Sequence, residues 1–429
     1  MTDIETKEIN PSISTRAEGA TAARPALPKA LAAFGHRNYQ LWFGGQLVSL
    51  AGTWMQSIAQ AWLVYQISHS EFALGLVGFA GAIPFLFISP FGGVVVDRVP
   101  KRTLLVITQT VMMVLAFVLA VLYFLNLVQV WHIVLLAALL GVANSFDAPA
   151  RQAFVVDLVG HENLTNGIAM NSIMFNGARV VGPALGGLLL AAVGAGWCFF
   201  FNGVSFLAVI GSLIAMRITP AAPKPALGAS AWQQLKEGIS YAARRSDILS
   251  LLLLAAVFST FGFAYSALLP AFVDKIFHAG ANGFGFLNAA VGLGAITGAF
   301  LVAQYVDRSR RGTWIIIANL CFSTLLFLFA FNTHFPLALA IGYGMGVCFM
   351  THNTNVNSLL QTRVDDNMRG RVLSLYTLSF FGLAPFGSLL AGAVAQAWTL
   401  SGAVALMASI TLAGSIIIFL TNPSLRKLV

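Results

Sequence analysis

Residues 166–193 form an apolar run with a single arginine, Arg179, near its middle and no aspartate or glutamate close to it in sequence. A guanidinium stays charged at any working pH. Burying one at the centre of a bilayer costs about 2.5–3.5 kcal/mol on insertion scales. Its partner must then come from another helix, from a water-filled cavity or from a bound molecule; the plainer reading is a structural contact to backbone carbonyls. Just beyond it, Gly182-Pro183 marks a bend and Gly186-Gly187 a groove that admits a neighbouring backbone, packing being the ordinary reason for such glycines. Gly186 is expected to lie against the stretch holding Gly294 and Gly298.

Other polar residues share this apolar setting. Gln46, Thr53, Gln56 and Gln60 fall on one helical face, with Trp54 one residue off it. Such a stripe should front a cavity or hydrogen-bond a second helix. Asn144, Asp147 and Arg151 lie in a later run, and His352 and Asn353 in another. An imidazole titrates near neutrality when unperturbed, although a lone histidine among polar neighbours is more often packing. All 15 acids sit in the N-terminal segment, in loops or at span ends, and Asp147 is the deepest. A cationic substrate held by a mid-membrane acid therefore fits poorly. Arg179 favours an anionic, zwitterionic or neutral substrate, or proton coupling through Asp147 with Arg179 acting on it.

What must position these groups is a membrane bundle. The chain is 58% hydrophobic and 9% charged, against about 25% charged in an ordinary soluble domain. Twelve apolar segments are each long enough to cross about 30 Å of hydrocarbon as helix. Their approximate limits are 40–66, 73–96, 103–125, 130–150, 165–193, 197–217, 248–272, 283–306, 313–332, 335–360, 371–396 and 401–421. An even number places both termini on one side. Alternate connections hold one basic residue, Lys275, whereas the tails and remaining connections hold 22 of the 24 lysines and arginines, Arg179 being the last. The excess of basic residues marks the cytoplasmic side, so both termini are expected there. The basic residues are spread over short loops rather than gathered on a soluble face, which argues against nucleic acid. Cys198, Cys321 and Cys348 have no metal or disulfide spacing and read as packing residues.

Residues 1–36 are polar and aperiodic, lack a signal-peptide core and read as a disordered cytoplasmic tail. Residues 37–217 then form a six-helix bundle, 218–247 a cytoplasmic linker, 248–421 a second bundle and 422–429 a short tail. The linker opens with prolines and turns into an amphipathic segment carrying Trp232, Leu235, Ile239 and Ala242 on one face, suited to lying along the membrane surface. The halves repeat. An Asp-Arg pair at Asp97-Arg98 recurs 210 residues later at Asp307-Arg308, and Gly177, Gly182 and Gly187 recur 205 residues later at Gly382, Gly387 and Gly392. The expected fold is all-α, with twelve transmembrane helices in two six-helix bundles related by a pseudo-twofold axis.

These features together resemble the major facilitator superfamily over residues 34–421. The loop Gly93 through Asp97-Arg98 to Lys101-Arg102 looks like that family's signature between helices 2 and 3, with Pro100 where a glycine is usual. Gly182-Pro183-Ala-Leu-Gly186-Gly187 is similar to the helix-5 signature of its proton-coupled exporters. The segments 38–43, 53–56 and 147–152 resemble the branch that holds the enterobactin exporter and related drug efflux proteins. The resemblance implies a cytoplasmic latch: Asp97, with Arg98 and Arg102, set against the positive end of helix 11 near Arg369 and Arg371, and Asp307 with Arg308 set against helix 5.

No nucleophile–base or metal constellation is present, and GLGAITG at 292–298 is a packing pattern rather than a nucleotide loop. The expected function is secondary active transport: export of a small molecule, such as a siderophore or drug, against proton entry, by a monomer in the plasma (bacterial inner) membrane that needs no bound cofactor. Import by the same fold, or a transport-inactive sensor or scaffold, are the alternatives.

Overall fold

A computed structural model describes residues 29–160, 162–217, 231–306, 310–365 and 367–422. Apolar side chains face lipid and backbone polar groups find no water there, so the chain is helical nearly throughout. The helices are α1 (Arg37–Ser68), α2 (Glu71–Arg98), α3 (Lys101–Phe124), α4 (Val130–Val159), α5 (Leu164–Val193) and α6 (Ala195–Ala215). They continue as α7 (Ser246–Lys275), α8 (Gly280–Tyr305), α9 (Arg311–Phe331), α10 (Phe335–Arg363), α11 (Arg369–Ala397) and α12 (Leu400–Thr421). Eleven of the described helices are long and apolar enough to cross a membrane. The remaining long one, α1, is 32 residues with the polar stripe lowering its hydropathy, and it packs along α5 and α6.

Two bundles result. In the first, α1 pairs with α5 and α6, α2 with α4, and α3 with α4 and α6; in the second, α8 pairs with α10, and α9 with α10 and α12. The halves meet through α2 on α11 and α5 on α8. The repeat seen in sequence has a packing counterpart. A Cβ on Gly182 would meet the Ala51 carbonyl of α1, and a Cβ on Gly387 would meet the Thr260 carbonyl of α7.

The second half differs from the first in its helix geometry. α7 and α11 each contain one π-helical turn, Phe258–Gly262 and Leu378–Gly382. The two turns are tied together, Ser259 Oγ donating to the Ser379 carbonyl at 2.8 Å. Such single wide turns interrupt the regular ladder and often mark functional positions.

One expectation about the segments flanking the bundles changes. The end of the presumed tail is ordered: Lys29–Gly35 forms a short 3₁₀ helix, Ala33 is fully buried, and its N–H donates to Asn166 Oδ1 at 2.8 Å. Its alanines and phenylalanine give it an apolar face to dock. The linker helix Ala231–Arg244 rests on the start of α11. Glu237 pairs with Arg371 at 3.0 Å, and Gly238 seats against Arg371 and Leu375. Ala242 is buried there but Ile239 is exposed, and the side chain of Trp232 lies outside the described residues. At the junction with α7, Arg245 forms a paired contact to Asp247, a hydrogen bond that raises the arginine pKa above its ordinary value.

Candidate functional site

Arg179 sits where four helices meet. Its guanidinium carbon lies 4.8 Å from the Phe349 ring centre, 5.6 Å from Trp54 and 5.8 Å from Phe263. Trp54 is on α1 and in edge contact with Phe175 of α5, at 6.0 Å; Phe263 is on α7 and Phe349 on α10. Rings from both halves thus surround one cation. Gly182 and Gly186 set this geometry, because without side chains they let α1 approach at Trp54 and Met55. Each desolvated ring contact contributes roughly 0.5–2 kcal/mol. Three together match the burial cost of about 2.5–3.5 kcal/mol, which explains how the charge is tolerated. They leave its N–H donors unanswered: among the described residues Arg179 has no carboxylate and no hydrogen-bond acceptor.

A cavity of about 370 Å³ shares α1 and α7 with the cage; Thr53, Gln56, Gln60, Asn144, Asn202 and Ser266 are among its lining residues, and none of the described ones is charged. The α1 stripe therefore faces a cavity over most of its length. Asn202 donates to Gln56 Oε1 at 2.7 Å and fixes that amide. Gln46 is the exception: it is buried away from the cavity with its amide nitrogen unpartnered. Cage and cavity share α1 and α7: Trp54 follows Thr53 on the first, and on the second the cavity's Ser266 donates its hydroxyl to the Phe263 carbonyl at 2.8 Å.

Asp147 belongs elsewhere. It is 1% exposed, between α3 and α4; its Oδ1 accepts from Thr108 Oγ1 at 2.9 Å and Gln109 Nε2 at 2.8 Å, and Arg151 Nε lies 2.7 Å from Oδ2. Its charge is met by Arg151, one turn along α4, and not by Arg179. Thr108 and Gln109, adjacent polar residues inside an apolar third span, were the overlooked signal for this cluster.

His352 is fully buried and stacks on Phe258 at 4.3 Å and 13° between planes; neither ring nitrogen has a partner. It is packed as an aromatic ring. Asn353 accepts from the Tyr376 hydroxyl and so links α10 to α11.

The glycine groove has two faces. Gly186 lies against Met55 of α1, not α8 as expected; Gly187 is the residue whose added Cβ would strike α8, at the backbone of Gly285. Gly294 and Gly298 instead admit α10, at Tyr343 and Val347. The reason is rotation: Gly186 and Gly187 are one residue, about 100°, apart around α5, so they face different neighbours.

Further contacts between the halves sit at the end of the bundle opposite the basic loops. Lys275 Nζ of α7 lies 2.6 Å from Glu71 Oε1 of α2, and also 5.8 Å from the Tyr65 ring centre. Ser70 Oγ donates to Gln396 Oε1 at 2.9 Å, Gly392 abuts the Glu71 carbonyl, and Trp62 stacks on Phe284. Sequence reading singled out Lys275 as the stray cation of that side but not Glu71, its partner. Of the proposed latch, Gly93 and Arg98 lie in α2, and Arg102 donates to the Ile214 carbonyl at 2.9 Å. The surroundings of Gly93, the Asp97 side chain, and Asp307 and Arg308 entirely, lie outside the described residues.

Comparison with known proteins agrees on one lineage. A family model described as transmembrane secretion effector matches residues 29–427. The chain is 25% identical over 390 residues to a staphyloferrin A transporter of Staphylococcus aureus, covering 90% of this chain and 96% of that protein. It is 26% identical over 396 residues to the multidrug efflux pump Tap of Mycolicibacterium fortuitum, covering 89% and 95% respectively. It is 24% identical over 343 residues to the enterobactin exporter EntS of Escherichia coli, covering 80% and 81%. Among solved structures, a bacterial homologue of the human lysosomal transporter Spinster superposes with a TM-score of 0.68 at 13% identity, over 94% of this chain and 98% of that one. A peptide transporter in complex with sulfate gives 0.71 at 13% identity, over 94% and 99%.

Proposed function

Since the chain belongs to the major facilitator superfamily, within its transmembrane secretion effector family, we propose that it exports a small molecule against proton entry by alternating access. The carrying observation is the seam found among the described residues: Gly187 on Gly285, Glu71 with Lys275, and Gly392 on the Glu71 carbonyl join the halves away from the basic loops. With the basic loops cytoplasmic, as the charge rule requires, that seam is the outer gate and the site is poised to load from inside the cell. Both termini are then cytoplasmic and the membrane is the plasma membrane. Asp147, held by Thr108, Gln109 and Arg151, is the carboxylate offered for proton coupling. Asp97 is the latch acid of the opposite state, so Asp97→Asn should slow export while leaving the inward-facing population high.

The relatives support this direction, two of the three being named for efflux or export. The test is accumulation of a compound panel in cells with and without the protein, with and without an uncoupler. Lower accumulation that the uncoupler abolishes is the expected result. Raised accumulation would make the protein an importer. No change in cells, together with no flux in vesicles of purified protein, would leave a sensor or scaffold.

A further inference from the structure

We infer that Arg179, its ring cage and the neighbouring cavity are one bipartite binding site for an organic anion bearing hydroxyl and amide groups. The inference rests on the transporter reading above and names the substrate class of its central site. Three observations converge. First, the guanidinium has ring faces but no acceptor among the described residues, so its fork of N–H donors is free to take a carboxylate in paired hydrogen bonds. Second, among the described residues the nearby cavity offers only neutral donors and acceptors: the amides of Gln56, Gln60, Asn144 and Asn202, and the hydroxyls of Thr53, Ser57, Ser266 and Ser388. Amides and hydroxyls pair with amides and hydroxyls; a wall without a carboxylate gives a cation nothing to bind. Third, the volume of about 370 Å³ suits a compact molecule whose polar body fills the cavity while its acid end reaches Arg179.

The site also draws on both halves. Trp54 and Gln60 belong to the first, Phe263, Phe349 and Ser266 to the second. An anion on Arg179 would replace the ring contacts as the charge's main partner and free the second half to move away. Binding would thereby act on the conformational equilibrium directly.

Pantothenate and panthenol test this as a pair, because both carry hydroxyls and an amide and only the former is an acid; tetraphenylphosphonium supplies the lipophilic cation. Binding to the purified full-length protein is read by calorimetry and by tryptophan fluorescence, with Trp54→Phe identifying the reporting ring. The acid is expected to bind about tenfold or more tightly than the alcohol. Arg179→Lys should weaken the acid and leave a smaller preference, Arg179→Ala should equalise acid and alcohol, and Asn144→Leu should weaken both alike. A preference for panthenol or tetraphenylphosphonium, no binding of the acid at millimolar concentration, or an acid preference surviving in Arg179→Ala would each overturn the inference. Arg179→Lys keeps the charge and guards against loss of folding, which size-exclusion profiles report. Failure here with export intact in cells sinks the substrate class alone; binding as expected with no flux in vesicles sinks the transporter reading alone.

Discussion

α5 and α11 are one helix used twice, and they have parted in a single respect. Gly182 and Gly387 each admit a carbonyl of the partner helix, Ala51 in one half and Thr260 in the other. Gly187 and Gly392 each abut the opposite bundle, at Gly285 and at Glu71. Yet 205 residues after Arg179 the second copy has Ala384. The same divergence runs through the bundles. The first half carries the amides of the cavity and the Asp147–Arg151 pair on helices that run unbroken; the second carries a phenylalanine cluster around Phe258, Phe322 and Phe349 and two π-turns. Duplicated contacts hold the scaffold, whereas the fixed charge and the cavity's amides lie in one copy and the π-turns in the other.

The largest test makes the two copies alike. Arg179→Ala should cut flux per folded molecule by about a hundredfold, as 2–3 kcal/mol for a contact to a charged group implies, with protein level near that of the parent. Parent-like specific flux would mean the asymmetry is not about transport, and a matched fall in melting temperature would make the arginine structural. The next test attacks what the copies share. Gly187→Leu cannot close against Gly285; overpacking of about 1–3 kcal/mol on the closed state shifts the gate some five- to 150-fold toward opening. Gly392→Leu should act in the same direction, and labelling by an impermeant maleimide of Ser388→Cys, at a residue that lines the cavity, would show it. A response from only one of the two would break the shared pivot.

A third comparison takes matching steps of α4 and α10, Asp147 and His352, counted from Val130 and Phe335. Asp147→Asn removes the partner of Arg151 and should cost about 2–3 kcal/mol in thermal unfolding, along with proton-driven accumulation. His352→Phe keeps the ring stacked on Phe258 and discards two unpartnered nitrogens, so stability should change by less than about 1 kcal/mol, in the stabilising direction. Equal losses from both would erase the contrast between a polar and an aromatic half. The smallest effect belongs to Glu71→Gln. Lys275 is 47% exposed, so solvent screens the pair, and an exposed pair contributes about 0.2–1 kcal/mol. A rise of about two- to fivefold in maleimide labelling of Ser388→Cys is expected, and none if the pair is decorative.

Much of this could be read from residue order. Apolar length gives the spans, the loop charges separate two ends, and the glycine repeat places the copies, because each depends on local composition. Arg179 and Lys275 stood out for the same reason, each being a charge out of place. What could not be read is who faces whom. Phe263 and Phe349 reach Arg179 from the other half, and nothing in a chain of 34 phenylalanines separates them from the rest. The rotation that gives Gly186 to α1 and Gly187 to α8 depends on three-dimensional packing, and one residue of error reverses it. The π-turns left a faint trace in Ser259-Thr-Phe-Gly262 and Ser379-Phe-Phe-Gly382, legible only once the geometry is known.

A fixed charge halfway across a membrane also has a consequence for voltage. When the gate alternates, Arg179 barely moves, but the aqueous side to which it is connected changes, and with it the fraction of the membrane field that it feels. Carrying one elementary charge through a full 100 mV is equivalent to about 2.3 kcal/mol, so an inside-negative potential holds the empty carrier facing the cytoplasm. A bound carboxylate cancels that charge and renders the loaded step electrically silent. The membrane potential would then speed only the return of the empty protein to its cytoplasm-facing state, and turnover would respond to voltage through that step alone.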